Sequence, residues 1–124
     1  DALEAAYGST NSEMQGLNCG TPSTAAYPLL ASRVDDFVVV GDAWAHDGMR
    51  WLHKHGLSTS ATGAASAAGL LAATHAGRLD LDATSVVLLL VTEAVTDEAL
   101  FEKRVMMRRV VHTHPPRSTL APRR

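Results

Sequence analysis

The sequence is short of several residue types, and each shortage excludes a class of protein. Its 124 residues contain one cysteine, Cys19, so no disulfide can form within the chain, and this is typical of a reducing compartment. Aromatic residues make up only 5% of the chain, and no apolar run approaches the roughly 20 residues that span a bilayer. We therefore predict a cytoplasmic protein of one domain, with no membrane partner.

A strong charge of one sign is also missing. Eleven basic and 13 acidic residues give a formal net charge of -2, which does not favour a nucleic-acid partner. Most of the basic residues, however, follow Phe101 (Lys103, Arg104, Arg108, Arg109, Arg117, Arg123 and Arg124). Three prolines among the last dozen residues predict a disordered basic tail.

The beginning of the chain lacks the features of a signal peptide. The first ten residues have neither a basic region nor an apolar one, so we expect no signal peptide there. The first residue is Asp1 instead of methionine, from which we expect a processed, engineered or truncated chain.

Two apolar runs predict strands, and the segments around them predict helices. Residues 35–40 (DDFVVV) and 85–91 (SVVLLLV) have the composition of buried strands. Helices are predicted over about 22–32, interrupted at Pro28, and over 42–55, 58–76 and 96–111, with Gly56 and Gly77 as helix stops. The alternation predicts an α/β fold, a partial parallel sheet flanked by helices. Two strands are too few for a self-sufficient sheet, so we expect part of it to be missing.

Ligands of open parallel sheets bind beyond the carboxyl ends of the strands, and two places in the sequence qualify. Asp42 follows the first predicted strand, but an aspartate there is also explained as a helix N-cap. Thr92 follows the second, and no helix begins directly after it. Its hydroxyl could bond to a ligand, although a structural role fits equally well.

The cysteine and the histidines are weaker candidates. A lone cysteine with no histidine placed beside it by the sequence is usually inert, so a nucleophilic Cys19 is the minor alternative. His53 and His55 lie two residues apart, as do His112 and His114, and such pairs on a helix point in different directions. We predict no metal site, and no glycine-rich phosphate loop is recognisable.

Four segments together resemble a known family. EMQGLNCGTPS, VDDFVVVGDAWAHDGMRWL, SATGAASAAGLLAA and VLLLVTEAVTD occur in the order and approximate spacing of the C-terminal part of fold-type II pyridoxal-phosphate enzymes, the tryptophan synthase beta-like group. Among these, the segments are most similar to diaminopropionate ammonia-lyase. The resemblance covers about residues 1–101, which we therefore assign to the C-terminal portion of a catalytic domain, and it leaves 102–124 as a basic helix end and tail.

The resemblance implies a cofactor, pyridoxal 5'-phosphate (PLP), and a small amino-acid substrate. The reaction would be β-elimination from 2,3-diaminopropionate, giving pyruvate and ammonia, in an enzyme that is a homodimer when intact. The resemblance places Thr92 opposite the pyridine nitrogen and Gly63 beside the cofactor ring, and we count Glu93 with this cofactor-binding set. It places the loop that contains Cys19 and Gly20 on the substrate side.

The sequence departs from the family in ways that affect catalysis. Ala61 and Ala94 replace a glutamate and a glycine of the family pattern. The lysine that binds the cofactor and the phosphate-binding glycine loop lie in the family's N-terminal half, and the only lysines here, Lys54 and Lys103, have no matching context. We therefore assign no catalytic residue and expect the chain alone to be inactive.

Two other functions remain open at this point. The strand and helix motifs are shared with threonine and serine dehydratases, so the chain could be a fragment of a related enzyme. It could also be a non-catalytic interaction module whose basic tail binds an acidic partner such as RNA, although no RNA-binding signature accompanies the charge.

Overall fold

A computed structural model describes residues 11–107 of the chain, and this part is helical. It contains α1 (Tyr27–Arg33), α2 (Asp42–Lys54), α3 (Ala65–His75) and the short α4 (Glu98–Phe101). A 3₁₀ turn (Gln15–Leu17) precedes α1, and a π-helical segment (Glu102–Met106) continues from α4. None of these helices is long and apolar enough to cross a membrane. The predicted tail lies outside the described residues.

Helix α2 is amphipathic and forms one side of the core. Trp44, Met49 and Leu52 are buried at helical spacing, while the positive φ of 86° at Gly56 ends the helical path. The prediction that Asp42 caps the helix is wrong, because the N-cap is Gly41 and Asp42 is the first helical residue. The Asp42 carboxylate instead accepts hydrogen bonds from Ser12 and Glu13, in the loop before α1.

Helix α3 packs against α2 through small residues, as the alanine-rich sequence predicts. Ala67, Ala68 and Ala72 are fully buried. At the crossing, a methyl group on Gly48 would lie 2.9 Å from the backbone oxygen of Ala64 and 3.0 Å from the nitrogen of Ala68. The two backbones approach this closely only because neither helix has bulk at the contact. The helix begins at Ala65, several residues later than predicted, because a turn precedes it.

The two remaining helices differ from the predicted ones in extent. Helix α1 begins at Tyr27, so Pro28 lies in its first turn, where a missing N–H costs no hydrogen bond, and it does not interrupt the helix. Helix α4 begins after Asp97, whose Oδ1 accepts a 2.9 Å hydrogen bond from the Leu100 nitrogen. It places Phe101 in the core with Met14 and Met49.

The predicted fold class is wrong for this structure: residues 11–107 form no sheet. The only trace of strand pairing in that range is an isolated bridge at Val38, and the predicted strands 35–40 and 85–91 are not strands. The physical reason is that a strand exists through hydrogen bonds to a neighbouring backbone, whereas an apolar and β-branched composition only favours an extended path.

The second of these segments keeps the side-chain alternation of a strand. Leu89 and Val91 pack against the core, whereas Val86, Leu88 and Leu90 are 97%, 84% and 68% exposed. From Leu88 to Val91, exposed side chains thus alternate with partly buried ones, while Val87 is 45% exposed. The segment does not have the two buried faces that the sequence predicts for a central strand.

Candidate functional site

A cleft of about 640 Å³ opens beside the core that α2 and α3 share. Its lining comes from the loop before α1, from α2, from the turn before α3, and from α4 with the segment that leads into it (Glu13, Gln15, Gly16, Met49, Ser60, Ala61, Thr62, Glu93, Thr96, Asp97, Glu98 and Leu100). These side chains include four carboxylates and three hydroxyls, so the cleft is polar and acidic. Convergent polar groups in a concavity are the usual form of a small-molecule site.

The turn before α3 is bonded to the segment around Glu93. Thr59 Oγ1 donates a 2.5 Å hydrogen bond to the Glu93 backbone oxygen, and the Ser60 nitrogen donates to the Ala94 oxygen at 3.2 Å. The Ser60 hydroxyl donates to the Glu93 carboxylate and accepts from the Gly63 nitrogen at 3.1 Å. Because the three bonds to Glu93 and Ala94 join residues more than 30 positions apart, they fix one wall of the cleft.

Gly63 lies beneath this wall, where no side chain fits. A methyl group built there would lie 2.0 Å from Thr59 Oγ1 and 2.9 Å from the Glu93 backbone oxygen. Glycine is thus required at this position by the close approach of the protein's own atoms, and this requirement does not depend on a bound cofactor.

The loop before α1 supplies another part of the cleft lining, including Glu13 and Gly16. The Gly16 nitrogen donates a 3.1 Å hydrogen bond to Thr62 Oγ1 in the turn before α3. At the start of α2, the Asp42 carboxylate accepts from Ser12 Oγ at 2.6 Å and from the Glu13 nitrogen at 3.2 Å. The helix N-terminus and the turn therefore hold the loop at two points.

The carboxylate of Glu13 joins this loop to α2 and to the last described segment of the chain. Glu13 Oε2 lies 2.6 Å from His46 Nε2 and accepts from Arg104 Nε at 3.2 Å, while its other oxygen accepts from the same guanidinium. Arg104 foremost, and His46 after it, hold the pKa of Glu13 below its ordinary value of 4.5. The negative charge of Glu13 is therefore balanced by Arg104, and the carboxylate joins separate segments of the chain at the edge of the cleft.

The structure brings together only some of the residues that the sequence analysis singles out. Gly63 and Glu93 are in contact, and Glu93 lines the cleft. Thr92 is exposed and is not a lining residue. Cys19 is also exposed, with its Sγ 3.9 Å from the Gly16 oxygen, and Gly20 is half-buried; neither lines the cleft. The roles of these residues toward a cofactor or substrate stay predictions.

Several residues of the cleft are not foreseen by the sequence analysis. Ser60 and Thr62 resemble ordinary helix-capping residues, and only their contacts show that they join separate segments. Glu13 gives no local signal at all, because its partner Arg104 is 91 positions away. A single sequence contains no pattern that predicts a contact between residues so far apart in the chain.

Comparison with known proteins decides the family. The family model of pyridoxal-phosphate dependent enzymes matches residues 2–93, which is most of the chain. The chain belongs to the pyridoxal-phosphate dependent enzyme family. Neither the curated proteins nor the solved structures contain a significant match. The family match confirms the PLP dependence that the four segments imply, and it does not select a reaction within the family.

Enzymes of this chemistry hold PLP on a lysine, and the cleft supplies none. Lys54 is the last residue of α2 and Lys103 lies in the π-helical segment, and both are exposed and outside the lining. Within residues 11–107, no group of three or more histidine, cysteine, aspartate or glutamate side chains is placed to hold a metal ion. Within residues 11–107, the cleft therefore lacks the lysine that would hold PLP.

Proposed function

We propose that this chain forms part of the site of a PLP-dependent ammonia-lyase that converts 2,3-diaminopropionate to pyruvate and ammonia, and that the isolated chain is inactive. One observation carries the proposal. Three of the segments that resemble diaminopropionate ammonia-lyase, around Gly16, Thr62 and Glu93, line a single acidic cleft.

The charge of this cleft supports a diamino acid over a hydroxy amino acid. Glu13 is neutralised by Arg104, and the Glu93 carboxylate is bonded to Ser60. Asp97 and Glu98 add two further carboxylates to the lining. A substrate with two amino groups gains more from this negative potential than serine or threonine does, because each of those has only one.

The residues of this chain have positioning roles in the proposed enzyme. PLP, when bound, supplies the electron sink for the elimination. The bonds from Thr59 and Ser60 to the 93–94 segment restrain the backbone next to Thr92, whose side chain is exposed and outside the cleft lining. A hydroxyl at that place could meet a ring nitrogen without protonating it, which favours expulsion of a β-leaving group.

Two measurements test the proposal. In a two-dimensional NMR titration of the chain, 2,3-diaminopropionate should shift the amide signals of Thr96 and Glu98 more strongly than serine or threonine at equal concentration. Equal shifts with serine would favour a dehydratase. Glu98→Gln should reduce the response to the diamino acid, and Asp80→Asn, which changes the same charge away from the cleft, serves as its control.

The second measurement addresses the missing anchor. Mixed with PLP and 2,3-diaminopropionate, the chain should produce no pyruvate above the rate with PLP alone and no visible absorbance band of a lysine-bound cofactor. The reason is that Lys54 and Lys103 lie outside the cleft. A stable band, lost on Lys54→Arg or Lys103→Arg, would show that the chain carries a complete site and would refute this part of the proposal.

A further inference from the structure

The π-helical segment after α4 contacts the loop before α1 through Arg104. This arginine lies beyond residues 2–93, which the family model matches. Its guanidinium donates to both carboxylate oxygens of Glu13, from Nε at 3.2 Å to one and from a terminal nitrogen to the other. A two-point contact between a guanidinium and a carboxylate fixes direction as well as distance, so Arg104 sets where the Glu13 side chain lies.

Helix α2 supports both partners of this ion pair. Arg50 Nη1 donates a 2.6 Å hydrogen bond to the Arg104 backbone oxygen, and its other terminal nitrogen donates to Asp47 Oδ1 at 2.5 Å. One turn earlier on the same face of the helix, His46 Nε2 lies 2.6 Å from Glu13 Oε2. Because one helix holds both sides of the contact, less conformational entropy is lost in keeping them together.

Glu13 belongs to a loop that is bonded to itself. The Asn18 side chain donates a 2.9 Å hydrogen bond to the Ser12 backbone oxygen, across the residues between them. Among the enclosed residues, Glu13 and Gly16 line the cleft. A displacement of Glu13 therefore alters the part of the lining that Gly16 supplies.

We propose that Arg104 is a positioning residue of the cleft, which through Glu13 keeps the loop before α1 in the form that receives a ligand. Arg104 is not among the lining residues, so it acts through Glu13 and not by contact with the ligand. The choice of a diamino acid as that ligand rests on the proposed function, whereas the restraint of the loop does not.

Position and charge have opposite effects when Arg104 is removed. Loss of its positive charge leaves Glu13 less compensated in a cleft lined by three further carboxylates. By charge alone, a cationic ligand would then bind more tightly. Loss of the two-point contact releases the Glu13 side chain and loosens the loop, which weakens binding. A positioning role requires the second effect to be the larger.

Hydrogen exchange of the ligand-free chain tests the restraint of the loop. Arg104→Gln should speed exchange of the Gly16 amide about threefold to tenfold, because a charged hydrogen bond is lost. Arg104→Lys, which keeps the charge without the planar contact, should give an intermediate rate. Lys103→Gln removes the same charge from the neighbouring, exposed residue and should leave the rate unchanged.

Two outcomes of this experiment would overturn the proposal. One is equal exchange of the Gly16 amide in Arg104→Gln and Lys103→Gln. The other is an equal acceleration at the amide of Met49, a core residue of α2, because Arg104 would then support the whole fold instead of the loop.

An NMR titration with 2,3-diaminopropionate tests the effect on the cleft. Arg104→Gln should bind about threefold to tenfold more weakly than the native chain, because a smaller fraction of the loop is in the binding form, and Arg104→Lys should recover part of this loss. Equal or tighter binding by Arg104→Gln would overturn the proposal and leave the proposed function intact. No binding by the native chain would refute the proposed function, and exchange of the Gly16 amide would still decide the role of Arg104.

Discussion

Replacement of Gly48 by alanine tests the close packing of α2 against α3 most directly. The added Cβ would lie 2.9 Å from the Ala64 oxygen and 3.0 Å from the Ala68 nitrogen, and both of these are backbone atoms that cannot rotate away. The helices must therefore separate by a few tenths of an ångström, or the substituted residue must distort. Gly69 provides the matched control, because it lies within α3 and a methyl group there would meet nothing within 4 Å.

The expected magnitudes follow from two opposing effects. Alanine is favoured over glycine in a helix interior by about 1 kcal/mol, and this gain applies to both substitutions. Overpacking a tight contact costs about 1–3 kcal/mol, and this cost applies only to Gly48→Ala. Gly69→Ala should thus raise the free energy of unfolding by up to about 1 kcal/mol, whereas Gly48→Ala should leave it unchanged or lower it by up to about 2 kcal/mol.

Urea denaturation followed by circular dichroism measures both values on the same scale. The m values of the two variants should agree, so that a shift in midpoint reports stability alone. A Gly48→Ala variant as stable as Gly69→Ala would refute the close approach of the helices. A difference of about 1–3 kcal/mol between them would support it.

Three further predictions concern the walls of the cleft. Gly63→Ala should lower the free energy of unfolding, measured by urea denaturation, by about 2–4 kcal/mol, because the methyl group overpacks the site and breaks the Thr59 hydrogen bond. A decrease below about 1 kcal/mol would contradict the close contact between Gly63 and Thr59. Thr62→Val should lower the free energy of unfolding by less than about 1 kcal/mol, because the hydrogen bond from the Gly16 amide to Thr62 is exposed. Loss of this bond should also speed hydrogen exchange of the Gly16 amide, and unchanged exchange would contradict the bond. The third concerns Glu13: its lowered pKa means that its ion pair stabilises the fold fully above pH 4.5 and progressively less as pH falls through the folded-state value. The stability difference between the native chain and Glu13→Gln, measured from pH 7 to pH 3, should therefore shrink below pH 4.5, and a constant difference would refute this.

The helices that the sequence predicts best are those whose signals are local. Helix α2 was predictable because its apolar residues repeat at helical spacing and Gly56 stops it, and both features act within a few residues. The buried alanine helix α3 was predictable for the same reason, although its start was not. The turn before it is stabilised by Glu93 and Ala94, which are distant in sequence.

The candidate site was predictable only where the family resemblance supplied it. Glu93 and Gly63 were assigned to one site and are in contact, while Thr92 was assigned to the same site and is exposed outside the cleft lining. The sheet was predicted from composition, and this failed because composition favours an extended backbone without supplying a partner. The sequence did not predict a role for Glu13, because its partner Arg104 lies 91 positions away.

The sequence by itself determined the family, the shortage of lysine, and the helical segments with local apolar periodicity, because each of these is a property of residue identity and short spacing. Only the tertiary structure decided that the loop before α1, the turn before α3 and the segment leading into α4 form one acidic cleft, that Arg104 pairs with Glu13, and that Val86, Leu88 and Leu90 are exposed. Those outcomes depend on contacts between residues far apart in the chain, and the energy of such a contact exists only once the backbone has folded.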